Sequence, residues 1–307
     1  MSEHSTTEGL AAAIDIGTNT VLCLVGRRAA DGSLSVIEDR SQMPRLGEGI
    51  AHSGRIDETA AARTLDVLEE VARRLDDLGV PQERRRAVST AVLRRASNAA
   101  EFVAAARART GLAIEILPGE EEARLGHAAV ADANVHETIV VDVGGGSTEL
   151  AWNGGRSRAS VPVGAVVLND LYGAGIEAAW VAAREACLAL PEGVASAAPA
   201  DQAPAVVAIG GTAVNLASLV LGLERFDAER TEGTRVETPE VLQRARALAA
   251  LSPSQRGQLP IESGREEVLP CGLACLAAAL ERIGAKGAAV SLRGLRYGVL
   301  AALVAGE

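Results

Sequence analysis

Thr138-Ile139-Val140-Val141-Asp142-Val143-Gly144-Gly145-Gly146-Ser147-Thr148-Glu149-Leu150-Ala151-Trp152 is the stretch on which the reading of this chain turns. Thr138 to Val143 is a β-branched run, which favours a strand. Three glycines and two small hydroxyl residues interrupt it, and Glu149 to Trp152 comes back as a second strand around a tight loop. Ala13-Ile14-Asp15-Ile16-Gly17-Thr18, followed by the apolar run Val21 to Gly26, has the same plan: apolar strand, aspartate, glycine turn, returning strand. The two stretches form a weak internal repeat with a period of about half the chain. Neither strand alternates strictly, as expected where both faces of a sheet are covered.

Outward from these hairpins, helices and strands alternate, which places the chain in the α/β class. Ser33 to Ile37 is a third strand candidate in the first half. Asp57 to Leu78 carries Leu65, Leu68, Val71, Leu75 and Leu78 at three- and four-residue steps, one helical stripe, with Asp57 as its cap and Gly79 and Pro81 as its stop. Ala87 to Thr90 reads as a strand, Asn98 to Thr110 as a helix ended by Gly111, and Ala113 to Leu117 as a strand. Glu120 to Ala131 is a helix opening with three acids, which suits a helix N-terminus. In the second half, helices are expected near Ala165–Leu171 and Ile176–Leu190, and a loop separates the first of them from the hairpin. Ala205 to Ile209 is a buried strand, followed by the turn Gly210-Gly211-Thr212 and a helix to Leu221. Thr238-Pro239 opens a further helix with proline in its usual first turn, and Val268–Ile283 and Gly294–Leu303 are the last two.

Composition narrows the function classes. A chain of 307 residues with 48% hydrophobic content is long enough for two domains with full cores. A net charge of −10 argues against a general nucleic-acid coat, which needs a broad basic face. It leaves room for a polyanionic substrate, because backbone amides and a metal ion make a cleft locally positive on an acidic protein. Cys23, Cys187, Cys271 and Cys275 form no C-x-x-C pair and read as buried free thiols. His4, His52, His127 and His136 are scattered and read as surface or structural residues. Met1 to Gly9 is polar and acidic, unlike a signal peptide, and the apolar segment from Leu10 is broken by Asp15, Thr18 and Asn19, so no membrane span is expected and the cytoplasm is the default.

Phosphate needs convergent donors, and the tightest are backbone amides at glycine-rich turns. Three such turns follow apolar strands: Gly17-Thr18-Asn19-Thr20, Gly144-Gly145-Gly146-Ser147-Thr148 and Gly210-Gly211-Thr212. Any one alone is an ordinary tight turn; three after strands, two with a preceding aspartate, point to phosphate. Asp15 and Asp142 at those strand ends read either as turn caps or as carboxylates holding Mg²⁺ or a water bound to it. Glu120, Glu121 and Glu122 compensate a helix dipole, and one of them is free to serve as a general base; spacing does not choose among them. Arg94 and Arg95 end the strand that follows the first helix, and an arginine fork there suits phosphate, with Arg94 inward and Arg95 outward.

Set out in order, these motifs resemble the exopolyphosphatase / guanosine-pentaphosphate phosphatase family. The resemblance rests on Asp15-Ile16-Gly17-Thr18-Asn19-Thr20, Thr90-Ala91-Val92-Leu93-Arg94 with Asn98, Gly119-Glu120-Glu121-Glu122-Ala123-Arg124-Leu125 and Val141 to Leu150. Pro162-Val163-Gly164-Ala165, Ile209-Gly210-Gly211-Thr212 and Ser291 to Gly298 extend it over nearly the whole chain. It implies two actin-like (ribonuclease H-like) α/β domains of the actin/Hsp70/sugar-kinase superfamily around an inter-domain cleft, residues 1–125 and 126–307. The alternative for the last helix is to pack back on the first domain. It also implies a short form without the C-terminal HD-type helical domains of long members.

Carried over residue by residue, the resemblance makes Glu121 the catalytic base. Arg94 and the glycine-loop residues Gly17, Thr18, Asn19, Gly144, Gly145, Gly146, Ser147, Gly210, Gly211 and Thr212 become phosphate contacts, and Asp15, Asp142 and Glu149 handle Mg²⁺ or Mn²⁺. Where the family's C-terminal motif reads Leu-Arg-Asp/Glu-Gly, this chain reads Leu295-Arg296-Tyr297-Gly298. The expected activity is release of terminal orthophosphate from inorganic polyphosphate, short chains above all, or from guanosine pentaphosphate. Other readings of the same fold are an ATP-dependent small-molecule kinase and a non-catalytic sensor of such polyanions. Neither nucleic acid nor membrane is an expected partner, and a homodimer is compatible with the reading.

Overall fold

Ala11–Ile16 (β1) is apolar almost throughout because it runs up the middle of a five-stranded sheet. Val21–Arg28 (β2) returns antiparallel to it, and Leu34–Gln42 (β3) pairs outside β2. Arg85–Ser89 (β4) lies parallel on the other side of β1, with Ile114–Ile116 (β5) beyond, giving the order β3-β2-β1-β4-β5. The computed structural model describes residues 9–130, 137–173, 175–196 and 205–306. The readings made above for the segment before Gly9, for His136 and for the end of the helix at Ala131 lie outside them.

The helices of this half are Ile50–Ser53 (α1), Glu58–Asp77 (α2), Ala91–Arg95 (α3) and Ala99–Thr110 (α4). The Asp57 carboxylate caps α2 by accepting from the amides of Thr59 and Ala60, worth about 1 kcal/mol for a cap of this kind. Leu65, Leu68, Val71 and Leu75 of α2 are buried in one cluster with Ala12, Ile14 and Ile16 of β1 and Phe102 of α4. That leaves the opposite face of the sheet, carrying Ala11, Ala13 and Asp15, for another element.

The chain falls into two units. One holds the described residues through Pro118 together with those from Leu295 onward; the other is Gly119–Gly294. The units therefore divide at Pro118, just before the acidic helix Gly119–Val130 (α5), whereas the sequence reading put the division inside that helix, at residue 125.

The second unit repeats the first. Thr138–Val143 (β6), Thr148–Trp152 (β7) and Ser157–Val161 (β8) form an antiparallel meander. After Ala165–Tyr172 (α6) and Ile176–Cys187 (α7), Ala205–Ile209 (β9) adds parallel to β6. Gly210–Val220 (α8), Ala228–Thr231 (α9), Arg235–Glu237 (β10), Thr238–Ala249 (α10), Pro253–Arg256 (α11), Leu269–Ile283 (α12) and Gly287–Val290 (β11) complete it. The sheet order is β10-β11-β9-β6-β7-β8. Read from β8, its strands stand third, second, first, fourth and fifth, the order of the first sheet, with β10 added at the edge. Two such ribonuclease H-like sheets are the actin-like α/β fold that the family resemblance implied. Helix α12 is apolar and buried from Leu269 to Leu280, which places Cys271 and Cys275 in the core. All four thiols are free and buried, and burial pushes Cys271 up to about 11.

Leu295–Ala305 (α13), in the first unit, packs on β1 and β2. It takes the Ala11/Ala13 face, where small side chains let a helix approach. Among the described residues no helix is long and apolar enough to cross a membrane.

Four local readings differ from the structure. β8, β10 and β11 are short, and their few residues show too little periodicity to stand out from loops. β3 runs on to Gln42. Arg94 sits on the short helix α3, after the strand has ended at Ser89. Gly210-Gly211-Thr212 is no free turn but the first turn of α8: Gly210 takes a positive φ of 83° and lets the chain pass from strand to helix in one residue.

Candidate functional site

The second unit gathers most of the expected chemistry on one sheet edge. Asp142 and Glu149 are directly opposite across the β6–β7 ladder. Opposed residues point to the same face with Cβ atoms about 5 Å apart, so two carboxylates share one spot. Glu149 is 2% exposed, and its Oε1 accepts from Ser160 Oγ at 2.7 Å. Asp142 also opposes Ile209 in the parallel ladder to β9, which brings its carboxylate against Gly210: a Cβ at 210 would lie 2.5 Å from Asp142 Oδ1.

The glycine turn between the two acids is closed by Gly144 N–H donating to the Ser147 carbonyl (3.0 Å). Two of its other carbonyls bond to α6. Gly144 O accepts from Ala165 N–H (2.9 Å), and Gly145 O accepts from the amides of Val166 (2.8 Å) and Val167 (3.2 Å). The turn thus caps the N-terminus of α6, which has no side-chain cap of its own. With the carbonyls spent on α6, the amides face the other way, and those of Gly145 and Gly146 hold no hydrogen bond among the described residues.

The first unit repeats this device. Gly17 N–H donates to the Thr20 carbonyl (2.9 Å). Thr18 O accepts from Gly47 N–H (2.8 Å) and Asn19 O from Arg45 N–H (3.0 Å), so here too the turn's carbonyls are committed to a later segment. Thr18 and Asn19 are buried, and Asn19 Oδ1 has no hydrogen-bond partner among the described residues. Asp15 lies two residues before Gly17, on the β1 face opposite the α2 core. Arg94 donates from Nη1 to the Leu117 carbonyl at 2.7 Å and is half-buried, while Arg95 is exposed.

Each docked segment needs a glycine at the contact. A Cβ at Gly164 would lie 2.6 Å from the Gly144 carbonyl oxygen and 2.7 Å from the Gly145 carbonyl carbon. Gly164 has an extended backbone, so the objection to a side chain is purely steric. Gly164→Ala is expected to cost about 1–3 kcal/mol in urea unfolding, the usual range for an overpacked contact, and to reduce catalysis further than that loss of folded protein explains.

The three acids of α5 separate by burial. Glu120 is exposed, Glu122 is 8% exposed, and Glu121 is half-buried in a bidentate pair with Arg124: Arg124 Nε donates to Oε2 at 2.9 Å and Nη2 to Oε1 at 2.8 Å. The pair holds the Glu121 carboxylate in a fixed plane. A second arginine was not foreseen. Arg265 lies over Gly211, where a Cβ would fall within its guanidinium, and its Nε donates to Glu262 Oε2 at 2.7 Å. Asn215 completes the arrangement by accepting from Glu262 N–H (2.6 Å) and donating to the Gly211 carbonyl (2.8 Å). Arg265 thus stands at the N-terminus of α8, where amides and a guanidinium reinforce each other for an anion.

Helix α5 is anchored at its far end by His127, which is buried and whose Nε2 lies 3.2 Å from the Thr138 carbonyl. Burial holds its imidazole below the ordinary value of 6.5. The folded state therefore excludes a proton that the unfolded chain takes up, so this contribution to stability is complete above about pH 6.5 and is lost as pH falls through the depressed folded value. Urea midpoints measured at descending pH should fall more steeply for the wild type than for His127→Gln.

Two opposed carboxylates and a seryl hydroxyl are hard oxygen donors, a set that fits Mg²⁺ or Mn²⁺. No three of His, Cys, Asp and Glu cluster among the described residues.

The two sheets and their connections define a protein of the actin-like class. The sequence pattern of the Ppx/GppA phosphatase family matches residues 25–307, and the chain belongs to that family, a family of phosphohydrolases. Among solved structures, the Ppx/GppA family member from Aquifex aeolicus is 27% identical, with a TM-score of 0.76 over 97% of this chain and 98% of its own. An exopolyphosphatase from Cytophaga hutchinsonii shares the fold at 21% identity and a TM-score of 0.81, covering 97% of this chain and 98% of its own. An exopolyphosphatase-like protein does so at 22% identity and a TM-score of 0.83, covering 97% and 99%.

Proposed function

We propose that the chain is an exopolyphosphatase: it removes terminal orthophosphate from inorganic polyphosphate, preferring short chains, with Mg²⁺ or Mn²⁺. The observation that carries this reading is the pair of glycine turns whose carbonyls are committed elsewhere, with an aspartate before each and Glu149 opposite Asp142. Amides so exposed bind the equatorial oxygens of a terminal PO₃ group. Arg94 and Arg265 add guanidinium donors, and Thr18, Asn19, Ser147 and Thr212 add side-chain ones.

Glu121, held by Arg124, orients the attacking water and takes its proton as the water oxygen bonds to the terminal phosphorus and the bond to the bridging oxygen breaks. Asp142 and Glu149 are the residues that would hold the divalent cation, and Asp15 stands in the matching place of the first unit. That cation, when bound, neutralises charge on the transferring group and the leaving oxygen.

Guanosine pentaphosphate offers the same bond but adds a base to be held. Six aromatic residues are few for stacking. Three of the six are committed elsewhere: Phe102 is in the core, the Trp180 ring is in contact with the guanidiniums of Arg184 and Arg246, and Tyr297 bonds Asp39. This favours recognition of phosphates alone.

The deciding experiment is orthophosphate release from short polyphosphate, long polyphosphate, guanosine pentaphosphate and ATP, each with Mg²⁺, with Mn²⁺ and with chelator. Fastest turnover of short polyphosphate supports the reading. Preference for the pentaphosphate overturns the substrate, and no release from any of them overturns the activity.

A further inference from the structure

Asn215 is a polar residue in an apolar place. It lies on α8 among Ala213, Leu216 and Ala217, all buried in the core of the second unit, and is itself 3% exposed. A buried amide costs stability unless its polar ends are bonded. Here both ends are bonded. Asn215 Nδ2 donates to the Gly211 carbonyl at 2.8 Å, one helical turn back, and Oδ1 accepts from the Glu262 N–H at 2.6 Å. Only a primary amide donates and accepts through one planar group, so neither an ionised Asp nor a Leu of similar size makes both bonds.

The second bond spans 47 residues of sequence and fixes where Glu262 stands against α8. From Glu262 the contacts return to their start. Arg265 N–H donates to the Glu262 carbonyl at 3.1 Å, which closes a turn, and Arg265 Nε donates to Glu262 Oε2 at 2.7 Å. The Arg265 side chain lies against Gly211 and is 12% exposed. The far end of the segment is fixed as well. The Arg265 carbonyl accepts from the amides of Val268 (3.1 Å) and Leu269 (2.9 Å) at the start of α12. The buried Arg256 donates from Nη1 to the carbonyls of Glu266 and Glu267. Gly211, Asn215, Glu262 and Arg265 thus form a closed ring, and Asn215 is the member that ties residues 262–265 to α8.

We propose that Asn215 is a positioning residue: through Glu262 it holds the Arg265 guanidinium over the first turn of α8 before any phosphate arrives. The proposal rests on the reading of that turn as a phosphate contact. A guanidinium there faces the positive end of the helix, a place it keeps only if the fold holds it. The same turn meets the carboxylate pair, because Gly210 abuts Asp142 while Gly211 abuts Arg265. An arginine already locked in place loses little side-chain freedom when an anion binds. With the Asn215–Glu262 bond cut, Arg265 keeps its charge but loses its fixed position, and affinity falls.

The test uses the full chain with Asn215→Ala, Asn215→Ser, Arg265→Ala and Asn215→Ala combined with Arg265→Ala. The readouts are kcat, KM for tripolyphosphate and melting temperature. Serine keeps a hydroxyl for the carbonyl one turn back but does not reach Glu262, so it separates the integrity of α8 from the hold on Arg265. Arg265→Ala raises KM by about ten- to a hundredfold, the worth of a charged hydrogen bond. Its kcat stays within about threefold, because the arginine meets charge that the substrate carries before and during reaction alike. Asn215→Ala and Asn215→Ser each raise KM by about tenfold through a misplaced binding group, with Asn215→Ser melting near wild type. In the Arg265→Ala background, Asn215→Ala adds less than about twofold, since its effect runs through the missing guanidinium. A full additional loss in the double variant overturns the proposal, as does a wild-type KM in Asn215→Ser. A wild type that hydrolyses no polyphosphate sinks the exopolyphosphatase reading instead. The same comparison, read in the dissociation constant of tripolyphosphate by isothermal titration calorimetry, then still decides the role of Asn215, and a wild type that binds none overturns it.

Discussion

Glu121→Gln is expected to lower orthophosphate release from short polyphosphate by about two to four powers of ten, the range for a lost general base, with the melting temperature within about 3 °C of wild type. Gln keeps the size of the side chain and one oxygen to accept from Arg124, so α5 and its pairing survive while the proton acceptor is gone. The fall belongs in kcat, because Glu121 acts on water and not on the substrate's phosphates. Glu120→Gln and Glu122→Gln are the controls. Glu120 is exposed and its loss should be silent; Glu122 is buried and its loss should register first in melting temperature. Turnover near wild type in Glu121→Gln removes that residue from the mechanism. If Glu122→Gln instead loses turnover with its fold intact, the base is Glu122.

Arg124 bears on the same result. A bidentate guanidinium fixes the plane of the Glu121 carboxylate. Arg124→Lys keeps the charge and loses the fork, so its defect should be intermediate between wild type and Glu121→Gln.

The parts of this site that were legible in the sequence are those set by local chemistry. A β-branched run broken by glycines can only be a strand and its turn, and the aspartate before each turn lies within the same few residues. The repeat of Asp15-Ile16-Gly17 in Asp142-Val143-Gly144 foretold two like units because the hairpin is one local motif made twice. What stayed hidden depends on distant partners. Nothing near residue 144 shows that its carbonyl will cap α6 at Ala165, or that Gly47 will receive the Thr18 carbonyl. Arg265 sits in a polar stretch without periodicity, and only the folded chain lays it over Gly211. Asn215 and Glu262 are 47 residues apart, and neither carries a motif that names the other. The start of α8 was read as a turn for a related reason: one glycine at positive φ turns a strand into a helix without the polar cap that normally announces a helix N-terminus.

Asp142→Asn tests the metal half of the proposal and should remove Mg²⁺-dependent turnover almost entirely, by about three powers of ten, while the chain still folds. The argument begins from the ladder. Asp142 and Glu149 point to one face from directly opposed positions, and like charges so placed are unfavourable in a sheet unless a cation joins them. A protein that keeps both acids there holds the pair for a ligand. Asn retains the shape of Asp142 against Gly210, so the strand-to-helix passage into α8 is undisturbed, but it removes one negative charge and one ligand oxygen. Binding linkage provides the readout that is independent of catalysis: a cation that binds only the folded chain raises its melting temperature in proportion to the logarithm of its concentration. Mg²⁺ should therefore stabilise the wild type progressively and Asp142→Asn much less, with Glu149→Gln behaving alike because the two acids act as one site. If Mg²⁺ raised the melting temperature of Asp142→Asn as much as that of wild type, the cation would have to lie elsewhere.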